Sequence, residues 1–264
     1  MPFLIQHLLD QFLLFTVVLA RLSGLVMTAP IFGTQEIPMV VRGFLAITLA
    51  LLITPLQTTA GFEAQADLMN YAIVMASELM IGVALGVGIM LLFSGVQMTG
   101  QIISQMSGMT LADVFSPGFD DNVPIFSQFL FLVTMSVFAI LGGHRMVLDG
   151  LLGTFAKIPP GQAGVADSVA ATVTHLLTQS FVLGIRAAAP AMVALLLSTL
   201  VLGFISRTLP QLNILAIGFT LSALVTFVTM MITISAIVWV FIEQVEPTLE
   251  ILLDSLQSRA VVSS

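Results

Sequence analysis

Three ionisable side chains, Arg21, Glu78 and Arg186, stand inside or at the edge of long apolar runs. An ionised group at the bilayer centre costs ~2.5–3.5 kcal/mol on insertion scales unless it is paired or hydrated, so each must face protein or water. Either they line an ion or proton path, or Glu78 neutralises Arg21 or Arg186 in a buried pair that sets helix register. Proton relays string several acids through the spans, and Glu78 is the single deep acid here, which favours the pair.

Other chemistries lack their residues. His7, His144 and His175 are isolated, without the i, i+3 or i+4 partners that a metal site needs. Gln105 stands where a nucleophile elbow around Ser107 would need glycine. No phosphate-binding glycine loop is present, and the absence of cysteine removes disulfides and thiolate chemistry. The expectation is therefore no enzyme, no cofactor and no metal. With a net charge of -7 and 7 scattered Lys+Arg, nucleic acid is not an expected partner either.

The elements that must position these charges are apolar helices. The chain is 58% hydrophobic and 8% charged, with mean hydropathy +1.12. A helix crosses ~30 Å of hydrocarbon in ~20 residues. Residues 43–62, 79–112, 122–143, 187–206 and 208–242 carry no Asp, Glu, Lys or Arg, and 8–32 is apolar apart from Asp10 and Arg21. The fold class predicted is all-α: an integral membrane protein of about six hydrophobic helices, some of them broken. Residues 1–10 lack the positive region of a signal peptide, so the first helix is expected to be retained. Arg42, Arg145, Lys157, Arg207 and Arg259 divide almost evenly between the two sides, which leaves topology open.

Pro30, Pro38, Pro55 and the polar stretch 61–67 punctuate the first runs. Residues 99–124 are different, rich in Gly, Ser and Gln and then in Pro117, Gly118, Asp120 and Asp121. They cannot form one continuous lipid-facing helix, so this segment either leaves the membrane or lines something. Residues 142–174 read as a connector without its own core, and 243–264 as a short acidic amphipathic helix. Gly82 and Gly86 give the third run a smooth face for a close neighbour, and residues 187–191, AAAPA, mark a tight crossing. The 15 methionines are mostly core fillers, although Met106 and Met109 border Gly108, where a compliant apolar seal would be useful.

Three stretches taken together resemble a known family. They are Thr28-Ala29-Pro30-Ile31 after the Arg21 helix; the loop ending Ser116-Pro117 and Asn122-Val123-Pro124; and Arg207-x-x-Pro210-Gln211-x-Asn213 with Ile217-Gly218 behind it. In this order they resemble the FliR/SctT family of type III secretion proteins, across essentially the whole chain. Leu209 and Thr220 depart from the usual alanine and proline.

The resemblance implies a subunit of a helical export gate in the bacterial inner membrane, at the core of the flagellar basal body. Its partners would be FliP and FliQ homologues, together with FlhB and FlhA homologues, membrane lipid and the unfolded proteins that pass. It further implies a FliP-like part over 1–178, with a plug near 106–124, and a FliQ-like hairpin with an acidic tail over 179–264. Met106, Met109, Phe115 and Phe119 would seal the pore, with Gly108, Pro117 and Gly118 shaping a segment able to move aside. The flagellar system is favoured over the virulence one by the Ser-Pro to Asn-Val-Pro loop. A small-solute transporter would need paired broken helices in two related halves, and no such pairing is visible. A membrane scaffold without a pore would leave the Gly-rich loop unexplained.

Overall fold

The computed structural model describes residues 2–33, 37–57, 68–108, 124–161, 167–208 and 214–257. These form seven α-helices and no strand: α1 (Pro2–Thr28), α2 (Met39–Ile53), α3 (Leu68–Ser107), α4 (Ile125–Ile140), α5 (Gly143–Lys157), α6 (Asp167–Thr208) and α7 (Ile214–Gln257). Five are long and apolar enough to cross a membrane. Counting the consecutive pair α4 and α5 as one broken span makes six, in accord with the predicted all-α membrane protein. The chain groups into two compact units, one of residues 1–91, 142–176 and 246–264, the other of 92–141 and 177–245.

In the first unit, α1 turns Leu14, Val18, Leu22 and Leu25 inward at helical spacing, leaving Leu8, Phe12 and Met27 exposed. Pro38 fixes the start of α2, and its carbonyl accepts from Val41 and Arg42 N–H. Ala46, Ala50 and Ile53 form the inner stripe of that helix, which ends in a 3-10 turn containing Pro55. Two expectations need correction here. The stretch read as a coreless connector holds α5, whose Val147, Leu151 and Phe155 recur every four residues and are buried. Its Gly, His, Arg and Asp residues lower hydropathy without breaking that stripe. The acidic tail, in turn, is no separate helix: α7 runs on through Pro247 to Gln257.

In the second unit, Pro124 starts α4, which buries Phe126, Leu130, Thr134 and Phe138 along one face. Phe93, Phe131, Phe138 and Phe241 pack edge to face, with centroids 5.2–5.9 Å apart. The Gly/Ser/Gln-rich residues 99–107, expected to be irregular, are the last turns of α3. They are helical because protein covers them: Thr99, Ile103, Ser104 and Ser107 are buried. Small residues there admit a neighbour, and a Cβ on Gly100 would lie 2.5 Å from Ser127 N.

Candidate functional site

The deepest polar cluster is built by α1, α3 and α5. Arg21 and Glu78 are both 0% exposed. Glycine makes their meeting possible, because a Cβ on Gly82 would strike the Arg21 carbonyl and one on Gly24 would lie 2.5 Å from the Leu79 carbonyl. Gly86 continues the crossing against Thr28, as the small-residue pattern predicted. Backbone contact at Gly82, one turn beyond Glu78, sets the Arg21 guanidinium against the carboxylate.

Every polar atom of the pair is engaged. Arg21 Nε donates to Glu78 Oε2 at 2.6 Å, Nη1 donates to Thr154 Oγ1 at 3.1 Å, and Nη1 and Nη2 donate to the Ile158 carbonyl at 3.2 Å. Ile158 caps the C-terminus of α5, so its carbonyl is one that the helix leaves without an internal donor. Gly161 N–H donates to Glu78 Oε1 at 2.8 Å. Gly161 holds φ +87°, which L side chains rarely adopt, and so turns the chain back after Pro159 and Pro160. The Phe155 ring lies 4.2 Å from the guanidinium carbon.

A carboxylate with both oxygens taken and a guanidinium donating from all three nitrogens make a clamp. Its chemistry is to hold two spans and the 158–161 turn in one register. Thr154, Phe155, Ile158 and Gly161 were missed by sequence reasoning. Their signal was the four-residue stripe of α5 leading into Pro-Pro-Gly.

Arg186 does not join this cluster: within this chain it is exposed and forms no ion pair among the described residues. The reason lies on its own helix, where Gly184, Ala187, Ala188 and Ala191 take the inward positions. A Cβ on Gly184 would lie 2.8 Å from the Gly95 carbonyl, and Thr99 Oγ1 donates to the Gly184 carbonyl at 3.1 Å. Pro190 has no N–H to give the Arg186 carbonyl four residues back.

Met106 is half-buried in the last turn of α3, and Gly108 ends that helix at φ +74° with open space where a Cβ would sit. Met109, Phe115, Pro117, Gly118 and Phe119 lie outside the described residues, as do Pro210, Gln211 and Asn213. Arg207 is exposed in the last turn of α6. Gly218 is half-buried, its Cβ position 3.7 Å from Leu202 Cδ1. No group of His, Asp and Glu among the described residues could hold a metal ion.

Comparison with known proteins places these features in a lineage. The family described as bacterial export proteins, family 1, matches residues 12–248. The flagellar biosynthetic protein FliR of Bacillus subtilis (strain 168) is 26% identical over 236 residues, covering 88% of this chain and 90% of that protein. FliR of Aquifex aeolicus (strain VF5) is 27% identical over 241 residues, 89% and 87% of the two chains. FliR of Escherichia coli (strain K12) is 28% identical over 204 residues, 77% of each. The family match begins in the middle of α1, takes in the Arg21–Glu78 clamp and ends inside α7, and on that span the chain belongs to the bacterial export proteins, family 1.

Proposed function

We propose that this chain is a subunit of the flagellar type III export gate, building with FliP and FliQ homologues the pore that passes unfolded flagellar proteins across the inner membrane. FlhB and FlhA homologues adjoin it in the basal body, and energy comes from components other than this one. One observation carries the reading. On α6, apolar side chains stay exposed from Leu177 (43%) to Phe204 (70%). At ~1.5 Å per residue that stripe is about 40 Å long, beyond the ~30 Å of hydrocarbon available to cover it. The remainder must be covered by protein, as in an assembly that rises out of the bilayer plane. Helices α3, α6 and α7, of 40, 42 and 44 residues, are each about 60 Å or longer and suit the same arrangement.

Residues 1–178 form the FliP-like part and 179–264 the FliQ-like hairpin. Residues 106–124 act as plug, with Met106, Met109, Phe115 and Phe119 sealing and Gly108, Pro117 and Gly118 permitting displacement. The left-handed Gly108, facing open space at the end of α3, supports a segment departing there from the helix. Extraction from native membranes in mild detergent, followed by mass measurement under non-denaturing conditions, tests the reading. One copy of this 28.1 kDa chain with several copies of two smaller hydrophobic proteins is expected; a stable monomer or homodimer overturns it. Shortening 108–124 in the assembled complex should make membranes leaky to ions, and an intact barrier would defeat the plug.

A further inference from the structure

Arg186 stands on the outer face of α6 amid apolar side chains. Phe181, Val182 and Ile185 before it and Val193, Leu196 and Leu197 after it are exposed on the same helix, and no described acid forms an ion pair with its guanidinium. The inner face is already committed, with Gly184 against the Gly95 carbonyl and Ala187 and Ala188 buried. A second polar group is unmet at the same point. Pro190 leaves the Arg186 carbonyl without its helical N–H, and because Arg186, Ala189 and Pro190 are all exposed, that carbonyl opens on the outer face as well.

The length of α6 decides what covers this face. Leu177 lies nine residues, about 13 Å, before Arg186, and Phe204 lies eighteen residues, about 27 Å, after it. Hydrocarbon is ~30 Å thick. A bilayer set over residues 187–206 leaves Leu177, Phe181, Val182 and Ile185 outside it, a continuous apolar surface of the kind that protein covers. A bilayer raised to cover Leu177 instead puts Arg186 about 13 Å inside its edge, where a guanidinium must face protein or water. Both placements set protein against α6 beside Arg186. A protein that covers this face takes the guanidinium out of water, and a desolvated guanidinium needs a hydrogen-bonded anion.

We infer that the α6 face centred on Arg186 docks an apolar helix of a neighbouring subunit that carries a carboxylate at the same depth, the carboxylate accepting from the Arg186 guanidinium. A hydroxyl or amide on that helix donates to the freed Arg186 carbonyl. Arg21 is held within the chain by Glu78; Arg186 is held between chains. The inference rests on the gate reading for the presence of a neighbour, and the carboxylate is a separate claim.

Arg186→Lys keeps the charge and supplies an amine to trap the partner. Lys157 is the chain's single lysine, so coupling at position 186 is readily assigned. In the assembly purified from native membranes, dicyclohexylcarbodiimide should join the peptide holding position 186 to an Asp or Glu peptide of another subunit, through an amide formed with loss of water. An intact assembly without that link, or with a link to one of this chain's own acids, overturns the interchain pair and leaves the gate reading standing; a wild-type chain that purifies as a stable monomer removes both. Arg186→Gln separates docking from folding. It should leave the unfolding midpoint of the full chain in detergent unchanged, because no ion pair to a described residue is lost, and should lower the yield of the assembly about tenfold or more by leaving the partner's carboxylate buried and unpaired. Arg186→Lys should retain most of the wild-type yield. Assembly of Arg186→Gln at wild-type yield, the behaviour of an arginine that meets lipid phosphate or water, would overturn the proposal.

Discussion

The two units solve the same packing problem with different chemistry. Each contains a crossing so close that glycine is required: Gly24, Gly82 and Gly86 between α1 and α3 in the first, Gly95 and Gly184 between α3 and α6 in the second. Beside the first crossing stands a hydrogen-bonded ion pair, beside the second a cluster of four phenylalanines. An ion pair has one satisfying geometry and a heavy penalty for missing it, whereas phenyl rings accept several edge-to-face arrangements at similar energy. The first unit is thereby pinned to a single register. In the second, register depends on the glycine contacts and the Thr99 hydrogen bond, with aromatic burial supplying adhesion.

The largest effect expected is at the pinned crossing itself. Gly82→Val would drive a branched side chain into the Arg21 carbonyl, backbone that cannot yield, and should abolish the folded chain. Protein recoverable from membranes in mild detergent is the measure, and wild-type recovery would show that the crossing is looser than its geometry. Next is Glu78→Ala, which leaves Arg21 buried and unpaired at a cost of about 3–5 kcal/mol, read as a lowered midpoint of thermal unfolding in detergent. Replacing both partners, as Arg21→Met with Glu78→Leu, should recover most of that loss. Recovered stability with failed assembly would mean that the pair specifies register; recovery of both would reduce it to a replaceable contact.

The second unit should respond more gently. Phe93→Leu keeps apolar bulk but forfeits three edge-to-face contacts, a loss of about 1–3 kcal/mol. Thr99→Val removes the hydroxyl donated to the Gly184 carbonyl and should cost about 0.5–1.5 kcal/mol. Unfolding midpoints that ranked Thr99→Val above Phe93→Leu in damage would reverse the assignment of adhesion to the rings and of register to the hydroxyl.

Legibility in the sequence followed the same divide. Long uncharged runs revealed α3, α6 and α7, and the lone deep acid pointed to a buried pair of Glu78 with Arg21 or Arg186 without choosing between them, because burying charge in an apolar run has few physical solutions. Composition misled where packing overrode it. Residues 99–107 look unfit for a helix until Ser127 is placed against Gly100, and α5 looks like a connector until its stripe of Val147, Leu151 and Phe155 is seen beneath the polar residues. Arg186 shows the limit of reading by run: position along a helix gives depth, whereas the face a residue takes depends on which neighbours are small enough to turn inward. The wider partner set of the clamp, Thr154, Ile158 and Gly161, lies more than seventy residues from Glu78 in sequence, beyond any local pattern.

The smallest effect discriminates most between a helix face that meets lipid and one that meets protein. Gly203 lies on the exposed side of α6, and a Cβ there touches nothing within 4 Å. In a helix interior, Gly→Ala is worth roughly 0.5–1 kcal/mol of stabilisation, so Gly203→Ala should raise the unfolding midpoint of the isolated chain slightly. Every glycine that this chain packs internally at a helix crossing would do the opposite. If the exposed stripe of α6 is covered by a neighbouring subunit through the same glycine-mediated contact seen at Gly95 and Gly184, the added methyl should stabilise the chain while lowering the yield of the assembled complex. A gain in both would place Gly203 against lipid and confine the protein-covered part of the stripe to the half of α6 that begins at Leu177.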